Sequence, residues 1–333
     1  MAALGEFGLI TALSGWLPRD PRALVGIGDD AAVLAAPDGR VVASTDFLLE
    51  GRHFRRDWSS GADVGAKAAA RSLIDVAAMG ALPTGLLVAL AAPPDLPVAW
   101  ARDLTAGLAA ECARAGATVV GGDTARAESV LLATTVLGDL AGRAPVLRSG
   151  AAPGDLVAVT GSLGRAAAGL ALLEAGVPDG PLQAAHRRPE PPYDAGPQAA
   201  DLGATAMIDV SDGLLADLGH VAAASGVRID LSSDRLSPGD DLRAAATVFF
   251  GRTGRGSGAP DQLELTWVLT GGEDHALAAT FKPDVALPPS WTVIGTVLDG
   301  RGVLVDGREW AGDAGWDHFR LLAGVASAGA CPP

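Results

Sequence analysis

The 333-residue sequence is poor in lysine, cysteine and long apolar runs, and each shortage excludes a class of protein or site. The only lysines are Lys67 and Lys282, so a phosphate-binding site must rely on arginine, backbone N–H groups or metal ions. Two cysteines, Cys112 and Cys331, provide neither a disulfide framework nor a zinc-binding Cys/His cluster. The longest apolar stretch, residues 86–92, is far shorter than the roughly 20 residues of a membrane span.

Positive charge is also scarce. The chain has 25 Lys and Arg residues against 39 Asp and Glu, which gives a net charge of −14. This balance argues against nucleic acid or an anionic membrane as the main partner. The first ten residues, MAALGEFGLI, lack the basic segment of a secretory signal peptide. We therefore expect a cytoplasmic protein of a reducing compartment.

Strand and helix signals alternate along the first half of the chain. Val- and Leu-rich segments bounded by Gly, Pro or Asp predict strands at 41–44, 86–91, 118–120 and 130–137. Two helices are predicted between them, at 63–79 and 97–115. Gly80 and Gly116 mark their ends.

The second half begins after a Gly- and Pro-rich segment at 148–155. Here the sequence predicts strands at 156–160 and 207–210, helices at 164–175 and 212–225, an ordered connection at 187–192, and a mobile loop at 251–261. The fold class is therefore α/β (α+β) in two domains. We place these at 1–147 and 148–322, with a flexible tail at 323–333.

Aspartates recur beside small residues, mostly where apolar strands are predicted to end. The motifs are GIGDD (26–30), STD (44–46), LID (73–75), GGD (121–123) and IDVSDG (208–213). A strand end can fix a side chain rigidly at a cleft. Any single Asp beside Gly is more often a turn or helix cap than a ligand, and Asp212 could be only a cap. Five such motifs in a chain with so little lysine favour a metal site.

Asp75 lies among apolar side chains of a predicted helix. Residues 73–83 contain no cationic partner for it, and an unpaired buried carboxylate costs several kcal/mol or shifts its pKa. Acidic side chains also repel a nucleoside triphosphate, by about 4 kcal/mol per pair of unit charges at roughly 4 Å. Several Mg²⁺ ions between carboxylates and phosphates would reverse that repulsion. The residues thus predict magnesium-dependent phosphoryl transfer from ATP.

Familiar motifs of other enzymes are absent from the sequence. It has no GxxxxGK[ST] loop, no HRD…DFG set and no GxSxG nucleophile turn, and GSLG (161–164) is only a glycine turn. The histidines show no metal-ligand spacing; they are His53, His186, His220, His275 and His318.

The motifs, taken together and in order, resemble the thiamine-monophosphate kinase family. Those that carry the resemblance include GEFGLI (5–10), GIGDDAAVL (26–34), STDFLLEGRHF (44–54), LIDVAAMGALP (73–83), GGDTARAESVLLATTVLG (121–138), RSGAAPGDLVAVTGSLGRAAAGL (148–170), IDVSDGLLADLGHV (208–221), TGGEDHAL (270–277) and GWDHF (315–319). The resemblance implies a two-domain aminoimidazole ribonucleotide synthetase-like fold. An N-terminal domain would pair in a homodimer, and a C-terminal domain would cover the nucleotide.

The resemblance also implies a reaction and its residues. ATP and thiamine monophosphate would give ADP and thiamine diphosphate by direct transfer, without a covalent enzyme intermediate. The positions matching metal ligands are Asp30, Ser44, Thr45, Asp46, Asp75, Asp123, Asp209 and Asp212. Those matching ATP-binding positions are Gly122, Asp123, Arg148 and Ser211, and those matching substrate-binding positions are His53, Glu273 and Trp316. An indole face such as that of Trp316 suits a cationic thiazolium.

The sequence departs from the family pattern at Ser72, Ile74, His275 and Ala276, and Arg52 replaces a residue that is usually small and apolar. Two alternatives therefore stay open. One is another ATP-using enzyme of the same superfamily, such as selenophosphate synthetase or the hydrogenase-maturation dehydratase. The other is a non-catalytic protein that binds nucleotide or metal.

Overall fold

The computed structural model describes residues 15–17, 23–25, 33–236, 238–254 and 260–316. Within these ranges each half of the chain forms one large sheet with helices packed against it. A short antiparallel pair, β1 (Ala23–Val25) and β2 (Val33–Leu34), precedes the first large sheet. None of the described helices is long and apolar enough to cross a membrane.

The first sheet has four strands in the order β3–β6–β4–β5. These are β3 (Val42–Leu49), β4 (Leu82–Ala92), β5 (Thr118–Arg126) and β6 (Leu131–Asp139). Its two helices are α1 (Gly61–Ala78) and α2 (Val98–Arg114). β4 and β5 are parallel, whereas the other two neighbouring pairs are antiparallel. Parallel neighbours need a crossover connection, and α2 provides it.

Helices α1 and α2 approach each other very closely because glycines lie at their contact. A Cβ atom at Gly65 would lie 2.0 Å from the carbonyl oxygen of Leu104, and one at Gly107 would lie 2.1 Å from that of Ala62. Since α1 also packs against β3, β4 and β6, it is held between α2 and the sheet. The position of α1 is therefore set by backbone contacts.

The second sheet has six strands in the order β12–β9–β11–β7–β10–β8. They are β7 (Leu156–Thr160), β8 (Ala206–Val210), β9 (Arg228–Leu231), β10 (Ala276–Phe281), β11 (Thr292–Leu298) and β12 (Gly302–Val305). The helices of this half are α3 (Arg165–Glu174), α4 (Pro181–Arg187), α5 (Ala195–Asp201), α6 (Leu214–Ser225), α7 (Asp240–Thr253) and α8 (Pro260–Thr270). Only β9 and β12 pair in parallel among the described strands of this sheet.

Two strands that carry proposed ligands, β3 and β5, are longer than the local sequence pattern predicts. β3 pairs with β6 along its whole length, to Leu49, and β5 pairs with β4 as far as Arg126. Asp46 and Asp123 consequently lie within strands, so the prediction that they follow strand ends is wrong. Their fixed orientation comes from the ladder of backbone hydrogen bonds on either side of them.

Two further predictions need correction. Residues 251–253 belong to α7 and 260–261 to α8, so the predicted loop at 251–261 is helical at both ends; residues 255–259 lie outside the described ranges. Asp212 is not a helix cap, because α6 has Gly213 at its N-cap. The predicted tail at 323–333 lies outside the described residues.

Candidate active site

An acidic cluster lies where β3, α1 and the end of β8 meet. β3 contributes Asp46, α1 contributes Asp75, and β8 contributes Asp209. Asp209 and Asp46 both repel the carboxylate of Asp75, and Ser44 Oγ donates a hydrogen bond to Asp75 Oδ2 at 2.5 Å. Asp212, in the loop after β8, lies close enough to this group to act on Arg71 together with Asp46. The structure thus brings together five residues that the sequence proposes as metal ligands, Ser44 included.

The surroundings of Asp75 in the acidic cluster disfavour its ionised form. Burial, followed by repulsion from Asp209 and Asp46, raises the pKa of Asp75 to about 8. The hydrogen bond from Ser44 and the charge of Arg71 act in the opposite direction but are weaker. Arg71 lies one helical turn before Asp75 and outside residues 73–83, which contain no cationic side chain. A bound cation would favour the ionised carboxylate.

The acidic cluster fits a divalent cation in its chemistry. Its donors are hard oxygen atoms, and repulsion from Asp209 and Asp46 adds to burial in raising the pKa of Asp75. In the described ranges, however, no three Asp, Glu, His or Cys side chains surround one point closely enough to hold an ion as they stand. Water or phosphate oxygens would have to complete the coordination, as is usual for Mg²⁺.

The hydroxyl group of Ser72 points into the acidic cluster, whereas that of Thr45 points away from it. Ser72 Oγ donates to Asp46 Oδ2 at 3.1 Å, so this departure from the family pattern still holds a proposed ligand. The Thr45 hydroxyl instead donates to the Thr134 carbonyl oxygen at 3.1 Å and contacts Thr135, on the other face of the strand. Only the main chain of Thr45 could join the cluster.

A buried aspartate that the sequence analysis missed fixes the loop after β8. Asp217 Oδ2 accepts hydrogen bonds from the backbone N–H groups of Ser211, Asp212 and Gly213, at 3.0, 3.1 and 3.1 Å. Burial and the charge of Asp209 raise the pKa of Asp217 to about 8. The three hydrogen bonds hold Ser211 and Asp212 in place relative to α6.

Glu273 forms ion pairs with two basic residues of α1. Its Oε2 lies 2.9 Å from Lys67 Nζ, and its Oε1 accepts a hydrogen bond from Arg71. Burial alone would raise the pKa of Glu273, but Lys67 and Arg71 outweigh it and hold this pKa well below its usual range. Glu273 is therefore an ionised carboxylate, and a quarter of its side chain stays exposed.

The segment that carries Glu273 has an unusual backbone. Glu273 and His275 have φ angles of 71° and 55°, in the left-handed region that non-glycine residues rarely adopt. Asp274 between them accepts hydrogen bonds from the N–H groups of Gly164 and Ala166, at 2.6 and 2.8 Å. Such strain persists only where surrounding contacts hold it, and it is often found at functional sites.

A cavity of about 160 Å³ lies beside the acidic cluster, and all three residues proposed to bind substrate line it. Among the residues that line it are Arg52, His53, Ser211, Asp212, Glu273 and Trp316. His53 Nδ1 accepts the Leu49 N–H at 3.0 Å, which places the proton of a neutral imidazole on Nε2. The guanidinium of Arg52 lies over the Trp316 ring, 5.1 Å from its centroid.

Other proposed residues lie apart from the acidic cluster. Asp123 is exposed on β5. Two strands lie between β5 and β3, so at the usual strand spacing β5 is about 14 Å from β3. A Cβ at Gly122 would lie 1.9 Å from the Val88 carbonyl oxygen, so strand pairing alone requires glycine there. Arg148 is exposed on the connection between the two halves. Asp30 lies outside the described residues.

The basic partners Lys67 and Arg71 were not proposed from the sequence. Lys67 stands in an alanine-rich helical segment, GAKAAA, where a lysine is out of place on a buried face; it is 2% exposed. A lysine among alanines was the one feature of the sequence that could have indicated this residue. Its partner Glu273 comes from the other half of the chain and could not be identified locally.

Comparisons with known proteins identify the family of the chain. The family described as AIR synthase related protein matches through its N-terminal domain at residues 28–140 and through its C-terminal domain at 152–306. The thiamine-monophosphate kinase of Mycobacterium tuberculosis is 49% identical over 318 residues, which cover 95% of this chain and 92% of the relative.

Solved structures give the same result. The crystal structure of thiamine-monophosphate kinase from Stenotrophomonas maltophilia K279a has a TM-score of 0.76 at 32% identity, covering 90% of this chain and 95% of the other. The structure described as AaThiL complexed with AMPPCP and TMP has a TM-score of 0.75 at 33% identity, covering 96% and 98%. The predicted fold class is confirmed, and the chain belongs to the thiamine-monophosphate kinase family of AIR synthase related proteins.

Proposed function

We propose that this enzyme transfers the terminal phosphoryl group of ATP directly to the phosphate of thiamine monophosphate, giving ADP and thiamine diphosphate. The observation that carries the proposal is the position of the acidic cluster beside the cavity that contains His53, Glu273 and Trp316. The kinase relatives, including the complex with AMPPCP and TMP, support the choice of both substrates. No side chain needs to act as a nucleophile, because the acceptor phosphate is ionised near neutral pH.

The acidic side chains would act through divalent cations. The residues that would hold Mg²⁺ are Asp30, Ser44, Thr45, Asp46, Asp75, Asp123, Asp209 and Asp212. When bound, these cations would neutralise phosphate charge and so make an acidic site attractive to ATP. Support comes from the oxygen donors of the cluster and from the raised pKa of Asp75.

Residues of the chain would hold the two substrates at opposite ends of the transfer. We place ATP against Gly122, Asp123, Arg148 and Ser211, where the Arg148 guanidinium can give bidentate hydrogen bonds to phosphate. We place thiamine monophosphate in the cavity. The His53 Nε2–H suits a phosphate oxygen, the part-exposed Glu273 carboxylate can accept a hydrogen bond from the ligand, and Trp316 presents an aromatic face.

A homodimer formed through the first sheet is part of the proposal. Exposed apolar side chains occur at this sheet: Phe47 of β3 is 57% exposed, and Val41, just before β3, is 56% exposed. Burial of such side chains against a second copy would stabilise a dimer. Light scattering after size exclusion should give twice the chain mass for the wild type and the monomer mass for Phe47→Glu. Val248→Glu, at an exposed apolar residue of α7, is the matched control and should keep the dimer mass.

The domain limits at 1–147 and 148–322 also stay a proposal. The N-terminal family match ends at residue 140 and the C-terminal match begins at residue 152, which supports a domain boundary between these residues. The cytoplasmic location and the absence of a nucleic-acid partner stay predictions.

The direct test is incubation with ATP, Mg²⁺ and thiamine monophosphate, with thiamine diphosphate followed by chromatography. Formation of one ADP for each thiamine diphosphate supports the proposal. A folded protein that binds ATP but forms no thiamine diphosphate would favour another enzyme of the superfamily or a non-catalytic binding protein. A phosphorylated enzyme isolated before acceptor is added would contradict direct transfer.

A further inference from the structure

A charged residue of the chain already lies over the aromatic ring assigned to the substrate. The Arg52 guanidinium carbon lies 5.1 Å from the centroid of the Trp316 ring, within the range of a cation–π contact. Both side chains line the cavity beside the acidic cluster. The backbone N–H of Trp316 donates to the Asp212 carbonyl oxygen at 2.8 Å, which anchors this residue to the loop after β8.

One indole face attracts one cation at a time, because two cations on the same face would repel each other. Arg52 approaches Trp316 within the cavity that would take the substrate, so a thiazolium ring bound there and the Arg52 guanidinium compete for this ring. We propose that Arg52 is a specificity-determining residue. It occupies the cation-binding position over Trp316 and so favours thiazolium ligands that also carry phosphate. This inference rests on the proposed function, since it concerns the substrate cavity of that reaction.

The ligand's charge explains the discrimination. Unphosphorylated thiamine brings only a positive charge, so it must displace the guanidinium and gives it no new partner. Thiamine monophosphate brings an anionic phosphate into the same cavity, and a displaced guanidinium can pair with phosphate oxygens. Arg52 should therefore weaken the binding of thiamine more than that of thiamine monophosphate.

The experiment measures the dissociation constants of thiamine and thiamine monophosphate by calorimetry, for full-length protein with Mg²⁺ and AMPPCP. In Arg52→Gln the dissociation constant of thiamine should fall by about 2- to 30-fold, the range that corresponds to a cation–π contact. That of thiamine monophosphate should fall less or should rise. The ratio of the thiamine constant to the thiamine monophosphate constant should consequently fall, by about 2- to 30-fold where the second constant is unchanged. Arg52→Lys, which keeps the charge, should keep a ratio near that of the wild type.

Arg55 supplies a matched control, because its guanidinium also lies over an indole, that of Trp58, at 4.5 Å. It does not line the described cavity, and Arg55→Gln should leave the ratio unchanged. An unchanged ratio in Arg52→Gln overturns the inference, as does an equal change in Arg55→Gln. The turnover assay separates the two proposals: a wild type that forms thiamine diphosphate while Arg52→Gln keeps the ratio overturns this inference alone. A wild type that binds neither thiamine compound overturns both.

Discussion

Lys67 on α1 and Glu273 in the second half of the chain form an ion pair with the Nζ and Oε2 atoms 2.9 Å apart. Lys67 Nζ also donates to the His186 carbonyl oxygen at 3.0 Å. Burial lowers the pKa of Lys67 in spite of its partner, whereas Glu273 stays firmly ionised. The pair joins the helix that carries Asp75 to the strained segment that lines the substrate cavity.

Removing Lys67 should destabilise the protein. Lys67→Met leaves Glu273 with Arg71 alone, and breaking a buried ion pair on one side costs about 3 kcal/mol of unfolding free energy. Urea denaturation should show this loss, and the double variant Lys67→Met/Glu273→Gln should recover part of it. Arg102→Met, which breaks the exposed contact with Asp103, should cost less than about 1 kcal/mol. Equal losses of unfolding free energy in Lys67→Met and Arg102→Met would show that the buried ion pair stabilises the protein no more than the exposed one.

Neutralising a proposed metal ligand should stop turnover without unfolding the protein. In Asp46→Asn and Asp123→Asn we expect kcat to fall at least about 100-fold, because charge that stabilises phosphoryl transfer is lost. The melting temperature should change little, since Asp46 already lies among like charges and Asp123 is exposed. Asp299→Asn, at an exposed aspartate after β11, should keep normal turnover. Near-normal activity in either test variant would remove that residue from the metal role.

The pH dependence of stability should report on Asp75. Its pKa is raised from 3.8 to about 8 in the folded state, so without cations its contribution to stability is fully present below pH 3.8 and is lost as the pH rises through 8. Denaturation in EDTA should therefore show a larger loss of unfolding free energy between pH 6 and 9 for the wild type than for Asp75→Asn. Added Mg²⁺ should restore wild-type stability at pH 9. Parallel pH curves for the two proteins would contradict this assignment.

Cys112 should be chemically silent in the native protein. Its thiol is buried, and burial raises its pKa to about 12, so very little reactive thiolate forms at neutral pH. In a Cys331→Ser background, a thiol reagent such as DTNB should react only after denaturant is added. Rapid labelling without denaturant would show that α2 opens readily from the sheet.

Local signals predict the helices of the first half well. Gly80 and Gly116 follow the ends of α1 and α2 closely, because glycine readily adopts the positive φ found at both positions. The same reasoning fails in β5, where Gly121 and Gly122 suggest a strand end. Pairing with β4 continues through them, and the partner strand is remote in the sequence.

In the candidate site, too, some residues could be predicted from the sequence and others could not. Resemblance to a family identifies Asp46, Asp75 and Asp209, and the structure brings them together. The ion pair of Lys67 with Glu273 joins opposite halves of the chain, and no local pattern indicates it. Asp217 is similarly hidden, because an aspartate in the first turn of a helix is expected at the surface as a favourable partner of the helix dipole.

The glycine contact between α1 and α2 has a consequence for natural variation. A glycine codon becomes an alanine codon through one base change, and at Gly65 or Gly107 the added methyl group would meet a carbonyl oxygen of the facing helix. The helices would have to separate, and Asp75 would move with α1. Loss of catalysis could thus be inherited through replacements that alter neither the charge nor any ligand of the enzyme.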